Sequence, residues 1–136
     1  MKILVDTNVI LDVLCNRELF VQDSSKVFKF CEVKKITGCV SALSIPNIVY
    51  ILRKELTPEK TQEVINKIAL IFNVIDLKAD DVIKAGKLKL GDYEDAIQSV
   101  CAARIKADYI VTRNIKDFQG SKVPAIKPSE LIDRIG

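Results

Sequence analysis

Two short stretches, Ile3-Leu4-Val5 and Tyr109-Ile110-Val111, are apolar at every position, and each runs straight into polar residues, Asp6-Thr7-Asn8 and Thr112-Arg113-Asn114. A strand wetted on one face alternates apolar and polar side chains, whereas a strand apolar throughout has both faces covered, the signature of a parallel sheet between helices. The intervening segments carry helical spacing. Val9, Ile10, Val13 and Leu14 recur after the first run, and Val27, Phe28, Phe30 and Cys31 mark a helix within Leu19–Lys35. Gly38-Cys39-Val40 and Phe72-Asn73-Val74-Ile75-Asp76 read as further strands, with Ala125-Ile126 at an edge. Ser44 opens a helix running to Leu52, Pro58 opens one carrying Val64, Ile65, Ile68 and Leu70, and Ala79 to Leu88 is helical. Tyr93, Ala96, Ile97, Val100 and Cys101 form one helical stripe, and Pro128 opens a terminal helix. This alternation predicts an α/β fold: a doubly wound, Rossmann-like, three-layer α/β/α sandwich with a central parallel sheet of four to five strands.

The 136 residues, 49% of them apolar, suit a single domain spanning 1–136, since a chain of this size buries roughly two-thirds of its extended surface. No repeat, low-complexity segment or linker interrupts it. Lys and Arg number 21 against 18 Asp and Glu, and a net charge of +3 is too small for wholesale coating of nucleic acid. Cys15, Cys31, Cys39 and Cys101 lack metal-ligand spacing and lie in or beside apolar runs, so they are expected as reduced core residues. The absence of histidine excludes Ser-His-Asp, Cys-His and His-rich zinc chemistry within the chain. No uncharged apolar run approaches the roughly 20 residues that span a bilayer, and the expected location is cytoplasmic, away from membranes.

Ligands of doubly wound sheets bind beyond the carboxyl ends of the strands, where the strand order reverses. Asp6 directly follows the first strand, Asn114 and Asp117 follow the fourth, and Asp95 sits in the first turn of the helix feeding that fourth strand. Each admits a plain alternative. Asp6 could cap a helix, Asp92 and Asp95 have the spacing of an N-cap and its acidic partner, and Asn114 and Asp117 repeat that spacing. Jointly, carboxylates about 4 Å apart repel by roughly 4 kcal/mol per pair at an effective dielectric near 20, and no histidine is available to relieve them. Such a cluster calls for a divalent cation, and all-oxygen ligands suit Mg²⁺ or Mn²⁺. Metal-assisted hydrolysis of a nucleic-acid phosphodiester is the chemistry this combination supports.

Four segments, I-L-V-D-T-N-V-I-L-D at 3–12, S-A-L-S-I-P-N-I-V-Y-I-L at 41–52, Y-E-D-A-I at 93–97 and A-D-Y-I-V-T-R-N-I-K-D-F at 107–118, resemble the PIN domain family in its order along nearly the whole chain. The resemblance implies an α/β/α sandwich, Mg²⁺- or Mn²⁺-dependent ribonuclease activity on RNA, and homodimerisation. It also points to the VapC-like toxins of toxin–antitoxin pairs, hence to an antitoxin partner. Carried over by position, Asp6, Asp95 and Asp117 match metal ligands, Asn114 belongs to the acidic-polar group with Asp117, and Thr112 matches an orienting hydroxyl. Asn47 departs from the pattern: it stands where most members carry a second acidic residue, usually Glu, so one negative charge is removed while an amide remains to hold water or orient ligands.

Arg53, Lys54, Arg113 and Lys116 could line an RNA path as phosphate-positioning cations, against the plain reading of solvated surface charge. Tyr50 or Phe20 could stack on a base or simply pack. Asp12 reads as structural or surface, Asp92 as a cap or supporting group, and Glu94 as added negative potential beside Asp95. Three functions compete. The leading one is a metal-dependent endoribonuclease toxin in which Asp6, Asp95 and Asp117 hold the ion while Asn114 and Asn47 hold water or orient ligands. The second is a catalytically weak PIN-like module that binds RNA or protein. The third is a phosphoacceptor receiver domain built on Asp76, with Thr112 and Lys127-Pro128 in support, which leaves Asp95 and Asp117 without a role.

Overall fold

A computed structural model describes all residues from Met1 to Gly136. In chain order the elements are β1 (Lys2–Val5), α1 (Thr7–Leu14), α2 (Val21–Glu32), β2 (Thr37–Ser41), α3 (Ser44–Ile51), α4 (Pro58–Ile71) and β3 (Asn73–Ile75). Then follow α5 (Ala79–Ala85), α6 (Tyr93–Arg104), β4 (Tyr109–Val111), a 3-10 turn (Ile115–Phe118), β5 (Ala125–Ile126) and α7 (Pro128–Ile135). All five strands pair in parallel in the order β3-β2-β1-β4-β5. The sheet is the expected three-layer sandwich at the upper end of the expected strand count.

Alternate residues of the apolar strands serve different layers, as the pleat requires. Ile3, Val5, Val40, Val111 and Ile126 join a core with α1, α2, α3, α4 and α7, while Leu4, Cys39 and Ile110 pack with Cys101 and Ala102 of α6 on the other face. Ala96 and Ile97 of α6 also bury against Ala85 of α5. That double duty explains why α6 is buried beyond its apolar stripe, at Gln98 and Ser99 too, and why Tyr93, on the stripe, is half exposed. On β2, Gly38 is required by packing: a Cβ there would lie 2.5 Å from Cys31 Sγ and 2.8 Å from Phe72 Cδ1. Phe72 in turn meets Phe28 edge to face with ring centroids 5.0 Å apart.

One expectation is revised and one is narrowed. Cys31, Cys39 and Cys101 are buried free thiols, but Cys15 is exposed because it caps the end of α1, beyond the last turn covered by the core. Asp12, on the helix face away from the Asp6 cleft, is fully buried, and it is structural: Arg113 Nε and Arg17 Nη1 pair with it at 2.8 and 3.2 Å. No helix is long and apolar enough to cross a membrane.

Candidate metal-binding site

The strand order reverses at β1, which sends the chain to β2 on one side and pairs with β4 on the other. Splayed loops beyond such a switch point open a cleft. Asp6 and Thr112 are the first residues past β1 and β4, and the Asp6 amide donates to Val111 O at 2.9 Å, holding the two strand ends together. Thr112 Oγ1 donates to Asp6 Oδ2 at 2.9 Å, and the same hydroxyl accepts the Asn114 amide at 3.0 Å. Asp6 therefore presents a nearly buried carboxylate, 6% exposed, with one oxygen fixed.

The amino end of α6 forms the opposite wall. Asp92 is its cap, accepting the amides of Glu94 at 2.7 Å and Asp95 at 3.4 Å. That bonding holds the first turn so that Asp95 faces the strand ends. From α3, Asn47 Nδ2 donates to Glu94 Oε1 at 2.8 Å, tying the third wall to α6. Beneath them Thr7 and Ser44 share a 2.8 Å hydroxyl contact and Gln98 Nε2 donates to Ser44 at 3.1 Å, a buried polar lattice that locks α1, α3 and α6. The resulting cleft of about 310 Å³ is lined by Asp6, Asp95, Asp117, Asn114 and Asn47, and also by Asp92, Glu94, Asn8 and Tyr50.

Its electrostatics differ from the rest of the molecule. Deep acidic groups elsewhere are paired, Asp12 with two arginines and Asp81 with Arg104 at 3.0 Å. None of Asp6, Asp92, Glu94, Asp95 and Asp117 takes part in an ion pair. Burial, reinforced by the charges of Asp6, Asp92, Asp117 and Glu94, pushes the Asp95 carboxyl up to about 7. Burial also raises Asp6, against the opposing hydrogen bond from Thr112. Repulsion of this kind is relieved by a cation or by protons.

The donor set fits a hard divalent ion. It is all oxygen, dominated by carboxylate and amide groups, and the thiols lie elsewhere: Cys31, Cys39 and Cys101 in the core and Cys15 at the end of α1. The acidic side chains do not by themselves close a three-ligand cage around one point. Mg²⁺ does not need one, because it takes one or two carboxylates directly and retains several waters through which others act.

The alternative reading of these residues as helix caps applies to Asp92 alone. Asp6 precedes α1 and Asn114 precedes the 3-10 turn, yet neither side chain makes a capping bond. The sequence reading assigns Glu94 only added negative potential beside Asp95, gives Asn8 no place in the cleft and misses the Thr7–Ser44–Gln98 lattice; the direction of Glu94 depends on Asn47, far away in the chain. Of the four candidate RNA-path cations, Arg113 is withdrawn: its guanidinium is committed to Asp12 and lies 3.9 Å over the Phe20 ring. That guanidinium covers one face of the Phe20 ring, which stays exposed at the surface away from the cleft. Lys54 and Lys116 are exposed, and Arg53 sits 4.0 Å over Tyr50, at the cleft rim. The receiver arrangement also fails. It needs the third strand beside the first, as in the order 2-1-3-4-5, whereas here β3 is at the sheet edge and Asp76 pairs with Arg104.

Fold and cleft together define an α/β/α protein with an uncompensated acidic site at the carboxyl edge of its parallel sheet. The chain belongs to the PIN domain family, whose model matches residues 2–116. Solved structures of similar fold include DNA-bound VapBC from Salmonella typhimurium, with TM-score 0.71 and 19% identity over 94% of this chain and 98% of that one. VapBC2 from Rickettsia felis, bound to a DNA fragment from the promoter, superposes with TM-score 0.70 at 18% identity, covering 93% and 98%. A toxin–antitoxin complex from Klebsiella pneumoniae gives TM-score 0.66 at 22% identity, covering 92% and 96%. No curated protein matches the sequence.

Proposed function

We propose that this PIN domain is a Mg²⁺- or Mn²⁺-dependent endoribonuclease and the toxin of a toxin–antitoxin pair. The observation that carries the proposal is the convergence of five carboxylates, none of them ion-paired, on one cleft at the topological switch point. Asp6, Asp95 and Asp117 would hold the ion, directly or through water, with Asn114 and Asn47 orienting water and ligands. When bound, the ion supplies a Lewis acid that eases deprotonation of a water nucleophile and offsets charge on the phosphodiester. Thr112 fixes the Asp6 oxygen, and Asp92 fixes the turn that presents Asp95. Asp95, held near 7 without a cation, is the group that would give up its proton as a cation binds.

RNA would reach the cleft past Arg53 at its rim, with the exposed Lys54 and Lys116 as further phosphate-binding cations. The toxin–antitoxin complexes of similar fold support an antitoxin partner, and exposed Tyr50, Ile51, Ile83 and Tyr93 supply apolar surface for it or for a second copy of the chain. The test is induction of the chain alone in a bacterial host. Growth arrest that disappears with Asp6→Asn supports the proposal, and unimpeded growth with intact cellular RNA counts against it.

A further inference from the structure

We infer that Glu94 is a fourth carboxylate of the metal site, aimed into the cleft by the side-chain amide of Asn47. This rests on the proposed function above and deepens it. Asn47 Nδ2 donates to Glu94 Oε1 at 2.8 Å, and the bond joins α3 to the first turn of α6. Asn47 makes no other side-chain hydrogen bond, and Oε2 of Glu94 has no protein donor. One oxygen is therefore fixed and the other is free, the same arrangement that Thr112 imposes on Asp6.

Three observations separate this from a structural strut. Glu94 lines the cleft together with Asp6, Asp95 and Asp117. Its backbone amide is held by the Asp92 cap at 2.7 Å, which fixes it in the same first turn of α6 as Asp95. No lysine or arginine pairs with it, although Lys and Arg outnumber Asp and Glu along the chain. A neutral donor such as the Asn47 amide orients a carboxylate without neutralising it, as the Thr112 hydroxyl does for Asp6.

The exchange of roles across this bond supplies the experiment. Glu94→Gln keeps shape and hydrogen bond and removes only the charge, while Asn47→Glu combined with Glu94→Gln moves the carboxylate to α3 across the same contact. Mn²⁺ binding is measured by titration calorimetry without RNA, on variants whose melting curves show an intact fold. The expected result is a roughly tenfold or greater loss of affinity in Glu94→Gln, a smaller loss in Asn47→Ala, and recovery in the exchanged pair. Wild-type affinity in Glu94→Gln overturns the inference, and so does failure of the folded exchanged pair to recover affinity. Asp6→Asn is the reference: if it loses Mn²⁺ while Glu94→Gln does not, only this inference falls, and if it too binds as wild type, the metal site itself is misassigned.

Discussion

Thr112 Oγ1 donates to Asp6 Oδ2 at 2.9 Å, joining residues 106 positions apart at the ends of adjacent strands β4 and β1. A hydroxyl in this position holds one lone pair of the carboxylate and leaves the other oxygen for the cleft. Thr112→Val keeps the branched shape and removes the donor. It is expected to cost about 1–2 kcal/mol of stability and to weaken Mn²⁺ binding roughly tenfold, with Thr112→Ser retaining both. Unchanged Mn²⁺ affinity in the valine variant would show that Thr112 does not position Asp6.

Asp95 makes the metal-free protein sensitive to pH. Its folded-state carboxyl titrates at about 7, above the ordinary 3.8, so between those values the folded chain binds more protons than the unfolded one. The contribution of this group is thus most favourable below pH 4 and is lost as pH rises toward 7. Asp95→Asn removes the penalty and is expected to raise the melting temperature by a few degrees at pH 8 and not at pH 4. Added Mn²⁺ should stabilise the wild type at pH 8 and have little effect on the variant. Equal melting temperatures of wild type and variant at pH 8 would contradict the crowded-carboxylate description.

Arg113 serves a buried ion pair rather than an RNA path. Its Nε pairs with fully buried Asp12 at 2.8 Å, so Arg113→Gln leaves that charge to Arg17 and a 3.4 Å contact from Ser24. The expected loss is about 3 kcal/mol in urea unfolding, with RNA affinity of the folded fraction unchanged. A variant as stable as wild type but defective in RNA binding would return Arg113 to the surface role.

Gly38 is a packing glycine. Gly38→Ala must push Cys31 or Phe72 aside and is expected to cost about 1–3 kcal/mol, whereas Gly91→Ala, with open space around its added methyl, should be neutral within about 0.5 kcal/mol. Equal stability of the two variants would mean that the core between β2, α2 and α4 yields more easily than its geometry indicates.

Most of the architecture is legible in the residues because strands apolar at every position announce a covered parallel sheet, and Asp6, Thr112 and Asn114 announce their places by following such strands directly. The cleft is less legible where side chains are aimed by distant partners. Glu94 depends on Asn47, Arg113 on Asp12, and the Thr7–Ser44–Gln98 lattice on three elements meeting; none of these has a local periodicity. Capping spacing misleads for a related reason. Asp6 and Asn114 stand where caps stand, yet the neighbouring strand ends and the cleft engage them instead.

As proposed, the unpaired carboxylates around Asp6 and Asp95 form a metal-dependent nuclease site. Its most direct test is cleavage of single-stranded RNA by the purified chain in Mn²⁺, alongside chelator and the Asp6→Asn and Asp95→Asn variants, each shown to be folded. Metal-dependent cleavage by the wild type, abolished by chelator and lost in both variants, is the expected result. Cleavage that persists in chelator or in folded Asp6→Asn would contradict it.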